Sequence, residues 1–402
     1  MNILVIGNGF DIAHGLKTSY PNFLMFSKAF YDLIVEKCVR CEEAYDKTYL
    51  RFLKEKTKEY LNCEDDKKFI DELITVLKDN LWICHFQNLQ IKDGWVNFEK
   101  EISRIIRIID DGRKTRKILY NRNTGEFDSE IEKMASEAID AENGNDSETI
   151  RYHSLPELKE KLLLDLNRTI RALELYLTYY VEDEQITTLV NQKIELPIIK
   201  ELNIDKVLSF NYTDTYIKLY GNYSGRNIEY DFIHGKAEKA FDVNTCNLVL
   251  GIDEYLDSPE KDSDNEYIEF KKFYQRIYKK TGCRYRKWFG MINNTHNSNP
   301  KAKIEDINIY FYGHSLDITD KDIILELITQ ENAKTTIYYH SRKAFGEQIS
   351  NLVKILGEKE LIERTGDYKP SIIFKAIDEN DEFDAINELR RSHIEIKKPA
   401  IC

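Results

Sequence analysis

Apolar residues fall into two alternating textures along the chain. Residues 2–6, Asn-Ile-Leu-Val-Ile, form a short β-branched run that stops at Gly7-Asn8-Gly9. A near-continuous apolar run entering a glycine turn predicts a buried parallel strand that opens a nucleotide-binding α/β unit. Asp11 then stands at the expected N-cap of a helix carrying Ile12, Ala13 and Leu16. From residue 22 the spacing turns helical. Phe23, Leu24, Phe26, Phe30, Leu33 and Ile34 recur at helical intervals, as do Phe69, Leu73, Leu77 and Leu81, which predicts a helical region over 22–110. Residues 111–150 are polar and rich in Asn, Asp, Glu and Gly, the composition of a mobile excursion. Leu158, Leu162, Leu166, Ile170, Leu173 and Leu177 predict a further helical stretch over 155–192.

Strand texture returns after Pro197. Candidate strands cover 207–210, 230–233, 247–250, 307–312, 335–339 and 371–374. The first five run into small or polar residues: Asn211-Tyr212, His234-Gly235, Gly251, Gly313-His314-Ser315 and His340. Ligands of open α/β sheets bind outside the carboxyl ends of the strands, so these ends are expected to converge on one crevice. The expected fold is α/β, a Rossmann-like, mostly parallel sheet flanked by helices. Its discontinuous core spans 1–21 and 200–402, with a large helical insertion at 22–199.

Composition narrows the function classes. Of 402 residues 42% are hydrophobic, enough for a sizeable core. The net charge of −12 disfavours non-specific binding to nucleic acid or anionic membrane. Seven Cys in so long a chain do not make a dense disulfide framework. The first residues lack a basic region, and no stretch approaches the roughly 20 apolar residues of a spanning helix. A cytoplasmic protein without a membrane partner is expected.

The glycine turn is the first chemical candidate. Gly7, Asn8, Gly9 and Phe10 are placed to let backbone approach a pyrophosphate, with the following helix offering N–H groups. A full dinucleotide fingerprint needs glycine where Ile12 stands, which counts against a hydride-transfer enzyme. Asp11 and His14 lie one helical turn apart. Either contacts a ribose or the reacting centre, or the pair is a cap and a first-turn residue. Asn211, within Ser209-Phe-Asn-Tyr-Thr-Asp214, offers a donor and an acceptor for ribose hydroxyls and a positioned water. A helix cap is its bland alternative. His234, released by Gly235 at a strand end, is poised as a general base. Gly313, His314 and Ser315 either hold the far side of a nucleotide or form a plain strand-to-helix turn.

Other features point elsewhere. Glu99, in Trp95-Val-Asn-Phe-Glu99, either reaches the crevice or, as is usual for Glu, is a solvated carboxylate. Residues 271–287 hold Lys271, Lys272, Arg276, Lys279, Lys280, Arg284, Arg286 and Lys287 without an acid, interleaved with tyrosines. That is the best nucleic-acid or phosphate candidate in the chain, although a basic helix packed on an acidic body fits as well. Cys38-x-x-Cys41 is half a zinc site with no second close pair, so no metal is expected.

The motifs Ile6-Gly-Asn-Gly-Phe-Asp-Ile-Ala-His-Gly-Leu-Lys-Thr-Ser-Tyr20, Leu208-Ser-Phe-Asn-Tyr-Thr-Asp214, Ile233-His-Gly235 and Phe311-Tyr-Gly-His-Ser-Leu-Asp317 resemble the bacteriophage abortive-infection AbiH family. That family in turn resembles, more remotely, the sirtuin-like NAD-binding proteins. Asn211 and His234 match the catalytic Asn and His of the latter. Two departures are the missing four-cysteine zinc module, which argues against protein deacylation, and Asn8 in a loop that reads Gly-Ala-Gly in sirtuins. The resemblance implies an anti-phage protein that hydrolyses NAD to nicotinamide and ADP-ribose. Its implied catalytic residues are Asn211, His234 and Asp11; Gly7, Asn8, Gly9, Phe10, His14, Asp214, Gly313, His314 and Ser315 would bind the nucleotide. Such activity must be silent before infection. That implies a phage-derived trigger, a second defence protein or homo-oligomerisation, with the helical insertion as receiver. A silent nucleotide sensor gating an effector and a nucleic-acid-acting defence protein are the alternatives.

Overall fold

Strand β1 (Asn2–Ile6) is buried from Ile3 onward, and a strand apolar on both faces must lie inside a sheet. The computed structural model describes residues 1–38, 43–93, 97–121, 124–145, 149–221, 227–253, 263–289, 306–366 and 369–377. Within them β1 is joined by β2 (Lys206–Ser209), β3 (Glu229–Phe232), β4 (Ile307–Tyr312), β5 (Ala333–Tyr339) and β6 (Ile372–Ala376). All pairings are parallel, in the order β3-β2-β1-β4-β5-β6. Ile6, at the end of β1, pairs with Ser209 on one side and Tyr312 on the other. The strand order reverses between β1 and β4, the position at which doubly wound sheets open a crevice. Successive side chains of β1 serve opposite faces: Ile3 and Val5 join one core cluster, Leu4 and Ile6 the other.

The glycine turn leads directly into α1 (Asn8–Ala13), whose N-cap is Gly7. Asp11 is therefore inside the helix rather than capping it. Helices α2 (Tyr20–Phe30), α3 (Lys47–Glu59), α4 (Glu64–Leu77), α5 (Leu81–Asp93), α6 (Phe98–Thr115), α7 (Glu130–Glu142) and α8 (Leu155–Leu175) follow, and α8 continues into π-helical turns at Tyr176–Ile186. They share an aromatic core built around Phe23, Phe26, Phe52, Phe69, Tyr176 and Tyr180. Side-chain oxygens of Ser19, Asp46, Asn97, Ser129 and Ser154 cap five of these helices. No described helix is long and apolar enough to cross a membrane.

Two expectations about local structure change. The polar stretch at 111–150 contains α7, whose Ile131, Met134, Ala135, Ala138 and Ile139 are buried in the helical core. Its polar residues are the outward face of an amphipathic helix, and composition alone hid the apolar stripe. Residues 247–250 are no strand. Their backbone is satisfied elsewhere: Val249 N–H donates to the His234 carbonyl, and Gln275 both accepts from Leu250 N–H and donates to its carbonyl. Leu248 and Leu250 pack into the helical core instead of a sheet face.

Candidate functional site

Four strand ends meet at the β1/β4 switch point around a cavity of about 300 Å³. The end of β1 contributes Gly7, Asn8 and Gly9; β2 contributes Phe210, Asn211, Tyr212 and Thr213; β3 contributes His234; β4 contributes Gly313, His314 and Ser315. Asp11 from α1 and Tyr20, Asn97 and Glu99 from the helical region complete the wall, with Asp317 and Asp320 from the loop after β4. A larger cavity of about 1340 Å³ opens in the helical region near Leu89, Ile118 and Phe127. None of its lining residues carries a buried polar atom without a partner, whereas the strand-end cavity has several.

The glycines of the turn answer to the protein itself. Gly9 N–H donates to the Gly313 carbonyl at 2.8 Å and Gly7 N–H to the Tyr312 carbonyl at 3.2 Å. A Cβ on Gly9 would lie 2.7 Å from Gly313 Cα, and Gly313, at φ +67°, would drive a Cβ to 2.1 Å from Phe10 N. The two loops interlock too closely for any side chain. These N–H groups are spent on carbonyls, so the expected pyrophosphate cradle of Gly7 and Gly9 is closed by β4. Asn8 stays at the exposed rim, where its side-chain oxygen accepts from the Thr18 hydroxyl at 2.6 Å.

Behind the cavity sits a charge cluster. His234 Nε2 lies 3.2 Å from Asp320 Oδ1, and His314 Nε2 lies 3.8 Å from Asp320 Oδ2. Lys272, only 3% exposed, reaches Asp320 at 3.2 Å and Glu99 at 2.9 Å, and its ammonium also donates to the Thr319 hydroxyl. Burial by itself would raise the Asp320 carboxyl, but Lys272 and the His234 imidazole hold it far below the usual range. Burial likewise opposes the charge on Lys272, and Asp320 and Glu99 overcome it and raise its pKa. His314 is pushed down to about 4 by burial, so it is neutral near pH 7. Its Nδ1 accepts from Leu316 N–H at 2.9 Å, which puts its proton on Nε2, towards Asp320. Phe210 lies edge-on to both imidazoles, with ring centroids at 4.3 Å from His314 and 5.5 Å from His234.

The Asp320 carboxylate accepts from Nε2 of His234, so in the neutral tautomer the free lone pair is on Nδ1. That Nδ1 is buried without a partner. Asn211 leaves both Oδ1 and Nδ2 unpartnered, its backbone turn fixed by reciprocal bonds with the Ser209 hydroxyl. Asp11 accepts from Thr213 Oγ1 at 2.6 Å through Oδ2 and leaves Oδ1 unpartnered. Burial pushes the Asp11 carboxyl up to about 6, with the Thr213 and Thr215 hydroxyls and the neighbouring Asn211 amide pulling the other way. Buried polar atoms are nearly always satisfied in folded proteins. Three neighbouring side chains left unsatisfied around one cavity mark a site shaped for a polar ligand.

Not every sequence candidate is brought here. Phe10 and His14 lie on the other face of α1. His14 Nδ1 bonds the Phe10 carbonyl and Nε2 bonds the Tyr220 hydroxyl, each at 2.8 Å, and Phe10 is packed among Tyr216, Tyr220 and Tyr312. Asp214 turns away to Lys218 and Lys236. The helix ends at Ala13, and His14, its C-cap, is tied by its ring to the Phe10 carbonyl four residues back, so it follows Phe10 to the aromatic side instead of sharing the Asp11 face. Conversely Glu99 is no solvated carboxylate. Asn97 caps α6, and the first turn points Glu99 into the cavity against Lys272.

The basic segment also changes character. Helix Lys272–Lys279 is inverted: Lys272 and Gln275 are buried, whereas Phe273, Ile277 and Tyr278 are 44%, 70% and 74% exposed. The inward face is polar because it serves carboxylates and carbonyls, Lys279 donating to the Leu248 carbonyl. Arg276 pairs with Asp322 and Arg286 with Glu326. Lys272 and Asp320 are the residues that sequence patterns missed, and Glu99 takes the crevice-facing of its two readings. No spacing rule links positions so far apart, although Asp320 did fall in the loop after a recognised strand end. Cys41, Trp95 and Val96 lie outside the described residues. Among the described residues no group of three or more His, Cys, Asp or Glu is placed to hold a metal ion.

A comparison with curated proteins returns no match. The bacteriophage abortive infection AbiH family matches residues 3–340, a span that contains the glycine turn, the Asn211 and His234 strand ends and the Lys272–Asp320 cluster, and the chain belongs to that family.

Proposed function

We propose that this abortive-infection protein acts by hydrolysing NAD at the bond between nicotinamide and ribose. The observation that carries the reading is the convergence of unpartnered buried atoms of Asp11, Asn211 and His234 on one cavity at the sheet's switch point. The match of Asn211 and His234 to the catalytic pair of sirtuin-like proteins supports it further.

Nicotinamide in NAD is a cationic leaving group, so its departure needs little acid assistance, and an oxocarbenium-like centre develops at C1′. Asn211 orients a water and a ribose hydroxyl. Water attacks C1′ as the bond to the pyridinium nitrogen breaks. The bonding pair returns to the ring nitrogen, and the water's proton passes to Nδ1 of His234. Asp320, fixed by Lys272, stabilises the resulting imidazolium. Asp11, ionised above about pH 6, accepts from a ribose hydroxyl and stabilises the positive centre. The pyrophosphate rests at the rim beside Asn8, Thr18 and Ser315. Incubating the purified protein with NAD, alone and with extract of phage-infected cells, tests the reading by chromatography. Equimolar nicotinamide and ADP-ribose are expected; NAD left intact in both mixtures rejects it.

A second reading, a nucleotide sensor that gates an effector, is favoured by the Glu99–Lys272–Asp320 bridge, which ties the helical region to the cavity. It requires NAD binding without turnover.

A further inference from the structure

The unpartnered atoms are unevenly divided between donors and acceptors. Asp11 Oδ1, Asn211 Oδ1 and His234 Nδ1 accept, and Asn211 Nδ2 alone donates. The three side chains are only 1%, 5% and 5% exposed. A phosphate brings acceptors only and would satisfy one of these four atoms. A ribose brings hydroxyl donors, which suit the other three. Charge points the same way. Asp11, Glu99, Asp317 and Asp320 line the cavity, no Lys or Arg is among its described lining residues, and the buried Lys272 behind it is shared between Glu99 and Asp320. The N–H groups of Gly7 and Gly9, the usual anion donors of such a turn, are already bonded to Tyr312 and Gly313 carbonyls. Four carboxylates against the single ammonium of Lys272 leave the wall negative, which attracts a pyridinium cation and repels a phosphate dianion. The cavity volume of about 300 Å³ stands at the small end of ligand sites, sized for one nucleoside rather than two.

Resting on the N-glycosidic reading above, we infer that the substrate class of this site is the pyridinium riboside itself. The ribosyl ring and cationic base supply the recognition, and the adenylate half of NAD adds little. Nicotinamide riboside is then a substrate in its own right. Water adds at C1′, the bond from C1′ to the pyridinium nitrogen breaks with its electron pair going to that nitrogen, and one proton goes to His234. The products are ribose and neutral nicotinamide.

Two measurements separate this inference from its parent. The first is calorimetric titration of the His234→Ala protein, in which turnover is slowed, with nicotinamide riboside and with ADP-ribose. Riboside binding at least tenfold tighter than ADP-ribose is expected, and Asp11→Asn in the same background should narrow that ratio. ADP-ribose binding equal to or tighter than the riboside, or no riboside binding, overturns the inference. The second is nicotinamide release by the wild-type protein, with infected-cell extract, from the riboside and from NAD. Release from both supports the inference. Release from NAD alone overturns it and leaves the parent reading standing. Release from neither rejects the parent reading and, with it, the riboside as a substrate.

Discussion

The Asp320 carboxylate lies 3.2 Å from Nε2 of His234, and the same oxygen lies 3.2 Å from the Lys272 ammonium. One buried carboxylate thus fixes the imidazole's tautomer and is itself held ionised by a lysine that also binds Glu99 of α6. The catalytic reading of His234 depends on that arrangement. So does the link between the helical region and the strand ends.

Lys272→Met should be strongly destabilising, because it strands Glu99 and Asp320 as buried charges. Breaking a buried pair by removing one partner costs about 3–5 kcal/mol. Adding Glu99→Gln and Asp320→Asn to the same chain removes those charges and should recover most of the loss. Urea unfolding of the single and triple variants checks this. A triple variant no more stable than Lys272→Met would show that the lysine does not act through these carboxylates.

Asp11 makes stability depend on pH in a defined direction. Burial raises its carboxyl from 3.8 to about 6 in the folded protein. Between those values the folded state binds the proton more tightly than the unfolded chain, so stability falls as pH rises through the window. The full cost above it is about 3 kcal/mol. Asp11→Asn should therefore raise the thermal midpoint at about pH 7.5 and leave it unchanged near pH 3. It should also slow nicotinamide release, the exchange expected when a site stores an unfavourable charge. Equal midpoints for both proteins at both pH values would refute the assignment.

Gly313→Ala tests the interlocked loops. The left-handed backbone at φ +67° alone costs an alanine about 1–2 kcal/mol, and the added Cβ would press to 2.1 Å from Phe10 N. Nucleotide binding and thermal stability should both fall. Gly346→Ala, inside the helix Arg342–Leu356 with no atom within 4 Å of the new Cβ, is the control; it should leave binding as it is and raise stability by about 0.5–1 kcal/mol.

Much of the sheet was legible because buried parallel strands are written as local apolar runs. Five of the six candidate strands after residue 197 correspond to β2–β6. The exception, 247–250, is just as apolar, but side chains of a helix satisfy its backbone, and no local pattern reveals that. Of the candidate site residues, those at strand ends came together, since topology sends every parallel strand end to one edge. Phe10, His14 and Asp214 were nominated by proximity in sequence and fell on faces that the turn geometry directs elsewhere. Lys272 was unreadable for the opposite reason. Its helix buries polar residues and exposes apolar ones, so the amphipathic rule assigns its faces in reverse.

The most direct measurement follows nicotinamide and NAD in phage-challenged cells that carry the wild-type, His234→Ala or Asn211→Ala chain at equal abundance. NAD should fall and nicotinamide rise after challenge only with the wild-type chain, and each variant should slow release about 10²–10⁴-fold. NAD that stays level in every strain, or falls equally with the variants, would contradict NAD hydrolysis at this site.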